Sequence, residues 1–461
     1  MTTVRPYLVL SAALALGEAL GLSAGGAAAL WPLAALACAA VILLGAGFSV
    51  RGWPTVATVL LGLAVAASAE EVRRGVLESA SLANGLLAVD VKVGAGAEPG
   101  SFPAEFAGVP LRVSVAREIL DGAPPPRPGE RWRVSGWLER KPLSDRSRRV
   151  LWVVGRAASA RRLAAPSAPD RVLARARREA SRRIGIGLGR APEIAQLHRA
   201  LLLGERGCLS PKLRQAFADA GTIHVFAVSG LHVGTVALTV FALLVLCGVP
   251  LRWTGLFVVP AVWGYALLIG SPTSAVRAAA MASLAALGPV FLRRADLLVS
   301  WALVFLAVHL AHPAALADVG SLLSFTVMLA IAVWARFFGR GVTFAAWAAG
   351  VPIVAHVFGV FTPAGLFANL LLLPAAGVTV AAGTLGVLAS FVSEALAAHV
   401  NGAAALFTRL MAGLSETVAS VPGASVEIVP WTRGQCAAWY LALALAVGLA
   451  VHVRERRRKR I

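Results

Sequence analysis

Long apolar runs recur along almost the whole chain, and they decide most of what it can fold into. Three open the sequence, near residues 7–23, 27–48 and 53–69. Each is close to the ~20 residues that a helix needs to cross ~30 Å of hydrocarbon. Further runs follow near 222–247, 253–270, 273–292, 297–312, 319–335 and 343–360, then 363–391 and 435–453. Inside a bilayer such segments satisfy their own backbone only as helices. The composition agrees: 58% of residues are hydrophobic and 14% charged, with a mean hydropathy of +0.76. That excludes an ordinary soluble enzyme. The expected fold class is a polytopic α-helical membrane protein, with residues 1–69 as a three-helix anchor and 222–461 as the main transmembrane domain.

The formal charge is nonetheless +20, and it is unevenly placed. Residues 131–183 hold 16 Lys+Arg against four Asp+Glu, and a second concentration closes the chain at Arg454-Glu-Arg-Arg-Arg-Lys-Arg460. Basic residues beside spans stay cytoplasmic. Arg5 and Arg51 therefore place the amino terminus inside, and three crossings deliver residue 70 to the outside. The basic tail fits an inside carboxy terminus. The first run leads straight into a second and reads as an anchor, not a cleaved signal. Of four cysteines, Cys38, Cys247 and Cys436 lie in apolar runs and Cys208 stands alone. No disulfide framework or zinc site is expected.

Residues 70–165 alternate polar and apolar positions in short runs, as in Leu111-Arg-Val-Ser-Val-Ala-Arg117 and Arg131-Trp-Arg-Val-Ser-Gly-Trp137. Turn formers such as Pro124-Pro-Pro126 separate them. The pattern predicts a small antiparallel β domain, placed outside the membrane. Here Trp132, Trp137 and Trp152 are interleaved with Arg131, Arg133, Arg140, Lys141, Arg148 and Arg149. Basic grooves with aromatic platforms hold single strands of nucleic acid. Tryptophans forming a barrel core, or arginines on lipid headgroups, would give the same pattern. Residues 166–221 read as a basic, amphipathic helical connector outside the membrane, able to lie flat upon it. Its last helix is expected from Ser210 to Ala220, with Ser210 as cap and Pro211 first.

Pro374 divides 363–391 into two short apolar halves. Broken segments of this kind occur where backbone lines a protein-walled cavity. The segment is therefore expected to enter and return, leaving 392–430 as an external, partly amphipathic connection and the tail inside.

The chemistry concentrates in His224-Val-Phe-Ala-Val-Ser-Gly-Leu-His232-Val-Gly234, a polar, glycine-hinged island at the mouth of an apolar run. Polar groups there are costly unless used or satisfied. They either complete broken backbone or line a passage for a polar substrate, and Ser229 with His232 on one helix face leaves a hydrolase open. Arg277, in an apolar run of small residues, needs water or a partner, and a phosphate is one such partner. Asp296, Asp318, His309 and His312 read as interfacial, and His356 and Asn369 as embedded helix–helix or substrate contacts.

This chain resembles the ComEC-type competence proteins. The resemblance runs through Leu201-Leu-Leu-Gly204, Ser210, Phe217, Ala220-Gly221, His224 and Ala227-Val-Ser-Gly-Leu-His-Val-Gly234. It continues in Gly270-Ser-Pro-Thr-Ser-Ala-Val-Arg277-Ala with Met281, His312-Pro313, Asp318, Leu323-Ser-Phe325, Pro352 to Pro363, Asn369 and Pro374, and the amino-terminal part resembles the same family's external OB-like domain more loosely. It covers about 200–390, and the ordered set is far more specific than any one piece. It implies a cell-membrane channel importing single-stranded DNA during natural transformation, with His224, Ser229, Gly230, His232, Arg277 and Asn369 along the path. Two departures qualify it. Longer members continue into a metallo-β-lactamase-like domain, whereas no His-x-His-x-Asp-His cluster occurs here, and no Gly-x₄-Gly-Lys-[Ser/Thr] loop does. No enzymatic step and no cofactor or metal is therefore expected of this chain. The expected partners are DNA, membrane lipid, a cytoplasmic motor or binding protein, an external receptor, a separate nuclease and a second copy of itself. A transporter of another anionic polymer or lipid-linked substrate remains the alternative on residue chemistry alone.

Overall fold

The computed structural model describes residues 86–94, 101–106, 109–115, 126–139, 149–153, 159–205, 209–289, 296–311 and 319–458. The expected anchor at 1–69 lies outside them, as do Arg140, Lys141 and Arg148.

Six strands come first: β1 (Leu86–Val93), β2 (Ser101–Phe106), β3 (Val109–Val115), β4 (Arg131–Glu139), β5 (Arg149–Val153) and β6 (Ser159–Ala164). They form one sheet in the order β1-β2-β3-β5-β4-β6, and β4 also pairs with β1. Only β3 and β5 run parallel. Alternation sets the faces: Val91, Val93, Phe102, Val113, Val115, Trp132 and Val134 point inward and are nearly fully buried, while Arg131 and Arg133 between them are exposed. This is the two-residue period of a half-buried strand.

Three helices follow. In α1 (Ala168–Ile184), Ser167 caps the start, Asp170 sits in the first turn, and Arg182 and Arg183 sit in the last. Each charge suits its end of the helix dipole. Asp170 meets Lys92 of β1 at 3.1 Å, which joins the helix to the sheet. α2 (Pro192–Leu203) buries seven of its twelve residues. α3 (Pro211–Asp219) starts at the expected Ser210 cap. The connector is thus no free amphipathic stretch: α2 is a core element, because its Leu201-Leu-Leu203 run packs into the main apolar cluster.

Nine longer helices complete the described chain: α4 (Gly230–Leu246), α5 (Leu251–Leu268), α6 (Thr273–Leu287), α7 (Leu297–Ala311), α8 (Val319–Phe337), α9 (Val342–Phe358), α10 (Ala364–Ala389), α11 (Glu394–Ala419) and α12 (Arg433–Arg458). Among the described residues, α5, α8, α10 and most of α12 are long and apolar enough to cross a membrane, and α4, α6, α7 and α9 are shorter apolar helices. The protein is an integral membrane protein.

Two expectations change. Residues 363–391 do not break at Pro374; they form the continuous 26-residue α10. Proline removes one backbone bond, and packing along the whole of α11 outweighs that loss. Residues 392–430 are no loose connection, since 394–419 are helical. α11 buries Ala397, Asn401, Ala404, Thr408, Met411 and Ser415, a four-three spacing that marks one seam. α10 lies very close to two neighbours: a β-carbon at Gly386 would collide with the Asn401 amide of α11, and one at Gly383 would stand 2.5 Å from Leu202 of α2. A short ribbon closes the excursion, where β7 (Val360–Phe361) pairs with β8 (Val426–Glu427).

Candidate functional site

The polar island folds as a 3₁₀ turn over Ile223–Phe226 followed by the start of α4. Ser229 is the residue before that helix, and its N–H donates to His232 Nδ1 at 3.3 Å. The Ser229 hydroxyl lies 3.4 Å from the same nitrogen. His232 is fully buried. Its position suits capping: it answers a backbone donor left open at a helix start. That geometry is poor for a general base, because Nδ1 already accepts a backbone N–H.

Above the helix, Gly221 has φ +71°, and a β-carbon there would stand 2.9 Å from Thr362. Only glycine suits both the left-handed backbone and this contact. Gly365 packs on the same glycine, and Asn369 stands one helical turn further along α10. Its Oδ1 is buried without a hydrogen-bond partner among the described residues. The fold thus brings 221–224 and Asn369 towards each other, although nearly 150 residues separate them.

Below, Ser274 at the start of α6 donates to the Val228 carbonyl at 2.7 Å, and Ala278 is the neighbour of Gly230. His224, Gly230 and Gly234 are exposed. Around Gly234 nothing lies within 4 Å of where a side chain would begin. Gly230 and Gly234 are one turn apart on a single helix face, so a strip of bare backbone opens along α4 beneath His224.

Arg277 is placed otherwise. It is 2% exposed, donates from Nη1 to the Ser321 hydroxyl at 2.8 Å and from Nη2 to the Gly320 carbonyl at 3.2 Å, and sits 4.8 Å from the centre of the Phe325 ring. Its charge is spent in a contact between α6 and α8 and does not line the strip. The physical reason is cost: a guanidinium inside an apolar bundle is stable only when its donors are used.

In the β domain, Trp132 follows the second of its two readings, a core position. It is 4% exposed, and its indole N–H donates to Glu130 Oε2 at 2.8 Å. It is a core residue and offers no stacking face. Arg131 and Arg133 stay exposed, with Arg133 doubly bonded to Asp90 at 2.6 and 2.8 Å. That pairing holds the Asp90 carboxyl below the usual carboxylate range. Trp137, Arg149 and Trp152 lie in strands, with Trp137 opposite Trp152.

Sequence reasoning gave Ser274, Thr362 and Gly365 no role at this site, although the first two lie inside stretches that carry the resemblance. Small residues recurring beside Pro272 and Pro363 were the available signal.

A profile of the competence protein family matches residues 201–453, more than half of the chain and all of the helices around the island. The chain belongs to the competence protein family. A curated relative is ComE operon protein 3 of Bacillus subtilis (strain 168), 24% identical over 192 residues. The match spans 40% of this chain and only 25% of that protein. No solved structure matches. The ComEC-type resemblance read from 200–390 therefore agrees with an independent family match over the same helices. Among the described residues no group of His, Cys, Asp and Glu could hold a metal ion.

Proposed function

We propose that this competence-family protein passes single-stranded DNA across the cell membrane, with the strip beneath His224 as part of its route. One observation carries the reading: α4 exposes Gly230 and Gly234, with open space beside Gly234 and only the Ala278 methyl, 3.9 Å away, beside Gly230, directly after the 3₁₀ turn that carries His224. A bare helix face beside polar side chains suits a long, hydrated polyanion, because nothing there has to be displaced. His224, Ser229, Gly230, His232 and Asn369 form or frame the mouth, and Arg277 holds α6 against α8 behind it. The reaction is translocation, with no covalent step by this chain. Motor, receptor and nuclease functions come from partners, and the strip itself is built within one chain.

The β domain takes the outer position in this reading. Its pairing circuit β1–β2–β3–β5–β4–β1, with β3 and β5 parallel, supports a small OB-like barrel. Arg131 and Arg133 would meet phosphate on its surface, while Trp132 holds it together from within. The amino and carboxy termini are assigned to the cytoplasm and residues 70–221 to the outside.

The test is to fill the strip. Gly234→Trp should abolish DNA uptake in a transformation assay while membrane abundance stays at the parental level. Undiminished uptake with a tryptophan at this position would remove α4 from the route.

A further inference from the structure

The two ends of α11 touch two different water-facing helices. At its start, Arg182 of α1 reaches Glu394 at 3.3 Å, and Asn401 donates to the carbonyls of Arg183 and Ile186 at 3.0 Å each. Close by, Arg183 donates to the Ser390 hydroxyl at 2.7 Å. At its end, α3 lies against it: Gln215 and Asp219 line one pocket with Ala419 and Glu427. Both flanking helices need water. α1 exposes Arg171, Arg175, Arg178 and Arg182 in one row, and α3 exposes Lys212 and Arg214.

Only α2 separates these two helices. It has 12 residues, about 18 Å of helix, against the ~30 Å of a hydrocarbon core. Moreover, Arg177 of α1 bonds the Leu203 carbonyl at 3.0 Å and pairs with Glu205 at 3.5 Å, so α2 folds back along α1. The chain cannot change compartments between α1 and α3. Both ends of α11 therefore face one compartment, and the Lys92–Asp170 pair makes it that of the β domain.

The exposed surface of α10 and of the hairpin tip is apolar, while α11 also exposes His399, Arg409 and Glu416. Phe367 is 72% exposed, Phe391 70% and Val392 85%, and Leu370, Leu371 and Leu406 are exposed beside them. At the tip the Arg183 guanidinium stands 3.9 Å from the centre of the Phe391 ring. Among the described residues Arg175 and Arg178 have no ion-pair partner. A helix pair that is apolar along α10, carries charge on the outer face of α11, is flanked by cations and is closed on one side of the bilayer has one stable place, the membrane interface.

We propose that α10 and α11 do not cross the bilayer but lie in the leaflet on the β-domain side, and that the arginine row of α1 beside Phe391 grips anionic phosphate headgroups. This stands apart from the DNA reading, since it needs no cargo. The apolar length of α10 serves to float the hairpin, and the arginines hold it at the correct depth.

Two measurements on the full chain test it. In a cysteine-free background, Glu394→Cys at the start of α11 and Glu427→Cys beyond its end should react with a membrane-impermeant maleimide from the same side of intact cells. Labelling of the two from opposite sides overturns the in-plane hairpin, whatever DNA uptake does. For the headgroup contact, phosphatidylglycerol added to the purified protein in detergent should raise the melting temperature by several degrees. Phosphatidylcholine, inorganic phosphate and a single-stranded oligonucleotide should not, and Arg171→Gln/Arg175→Gln/Arg178→Gln should lose the shift. A shift that survives in the triple variant, an absent shift, or one given by the oligonucleotide instead overturns the headgroup site.

Discussion

Arg277 on α6 and Ser321 on α8 are joined by a 2.8 Å hydrogen bond in the apolar interior, 44 positions apart in the chain. With the Gly320 carbonyl and the Phe325 ring, this serine converts a costly charge into a clamp between two helices. Arg277→Ala should lower the stability of the purified protein by roughly 1.5–3 kcal/mol, the range for a hydrogen bond to a charged group. Ser321→Ala should destabilise as well, by leaving a guanidinium donor short. In thermal melts the two losses should not add, because each removes the same bond. Additive losses would mean that the pair is not coupled.

Close approach of α10 to its neighbours gives a second expectation. Gly386→Ala forces a methyl group into the Asn401 amide, and overpacking of this kind costs about 1–3 kcal/mol. Gly234→Ala meets nothing and should raise helix stability slightly, by up to ~1 kcal/mol. Melting temperatures of the two variants should therefore move in opposite directions.

His198 of α2 is fully buried, with neither ring nitrogen bonded, and burial lowers its pKa to about 4. The folded protein keeps it neutral while the unfolded chain protonates it near 6.5. Stability should therefore fall as pH drops from ~6.5 to ~4, by up to about 1.4 kcal/mol per unit. His198→Phe should flatten that slope. An unchanged slope in the variant would assign the titration elsewhere.

Glu179 answers to acid at a lower range. Hydrogen bonds from Arg182 and Arg183 hold its carboxyl at about 2. Its contribution is complete above ~4.5 and disappears as pH falls towards 2. Over that interval hydrogen exchange in the last turn of α1 should accelerate, and Glu179→Gln should show the fast exchange already at neutral pH.

The membrane class, the strands of 86–164 and the Ser210 cap were legible because each rests on local pattern. Periodicity and a capping side chain need no distant partner. Pro374 misled because its local effect is real but smaller than the packing that α11 supplies. The seam of α11 was hidden, since Asn401, Thr408 and Ser415 lie on it and a search for apolar periodicity passes over them. Arg277 was singled out as a residue that needs a partner, and Trp132 as a stacking face or a core residue. Their partners, Ser321 and Glu130, are ordinary residues whose role exists only once the chain has folded.

The ribbon of Val360–Phe361 with Val426–Glu427 lets the chain leave and rejoin the helix bundle through one narrow doorway. Everything between those four residues is an excursion with touching ends, so its departure would leave a gap that a few residues could bridge. The hairpin is nonetheless no detachable annex: Ala368, Leu372, Ala376 and Val380 of α10 share one buried core with Val233 and Val236 of α4, so any tilt about the doorway would move the helices around Gly234 with it.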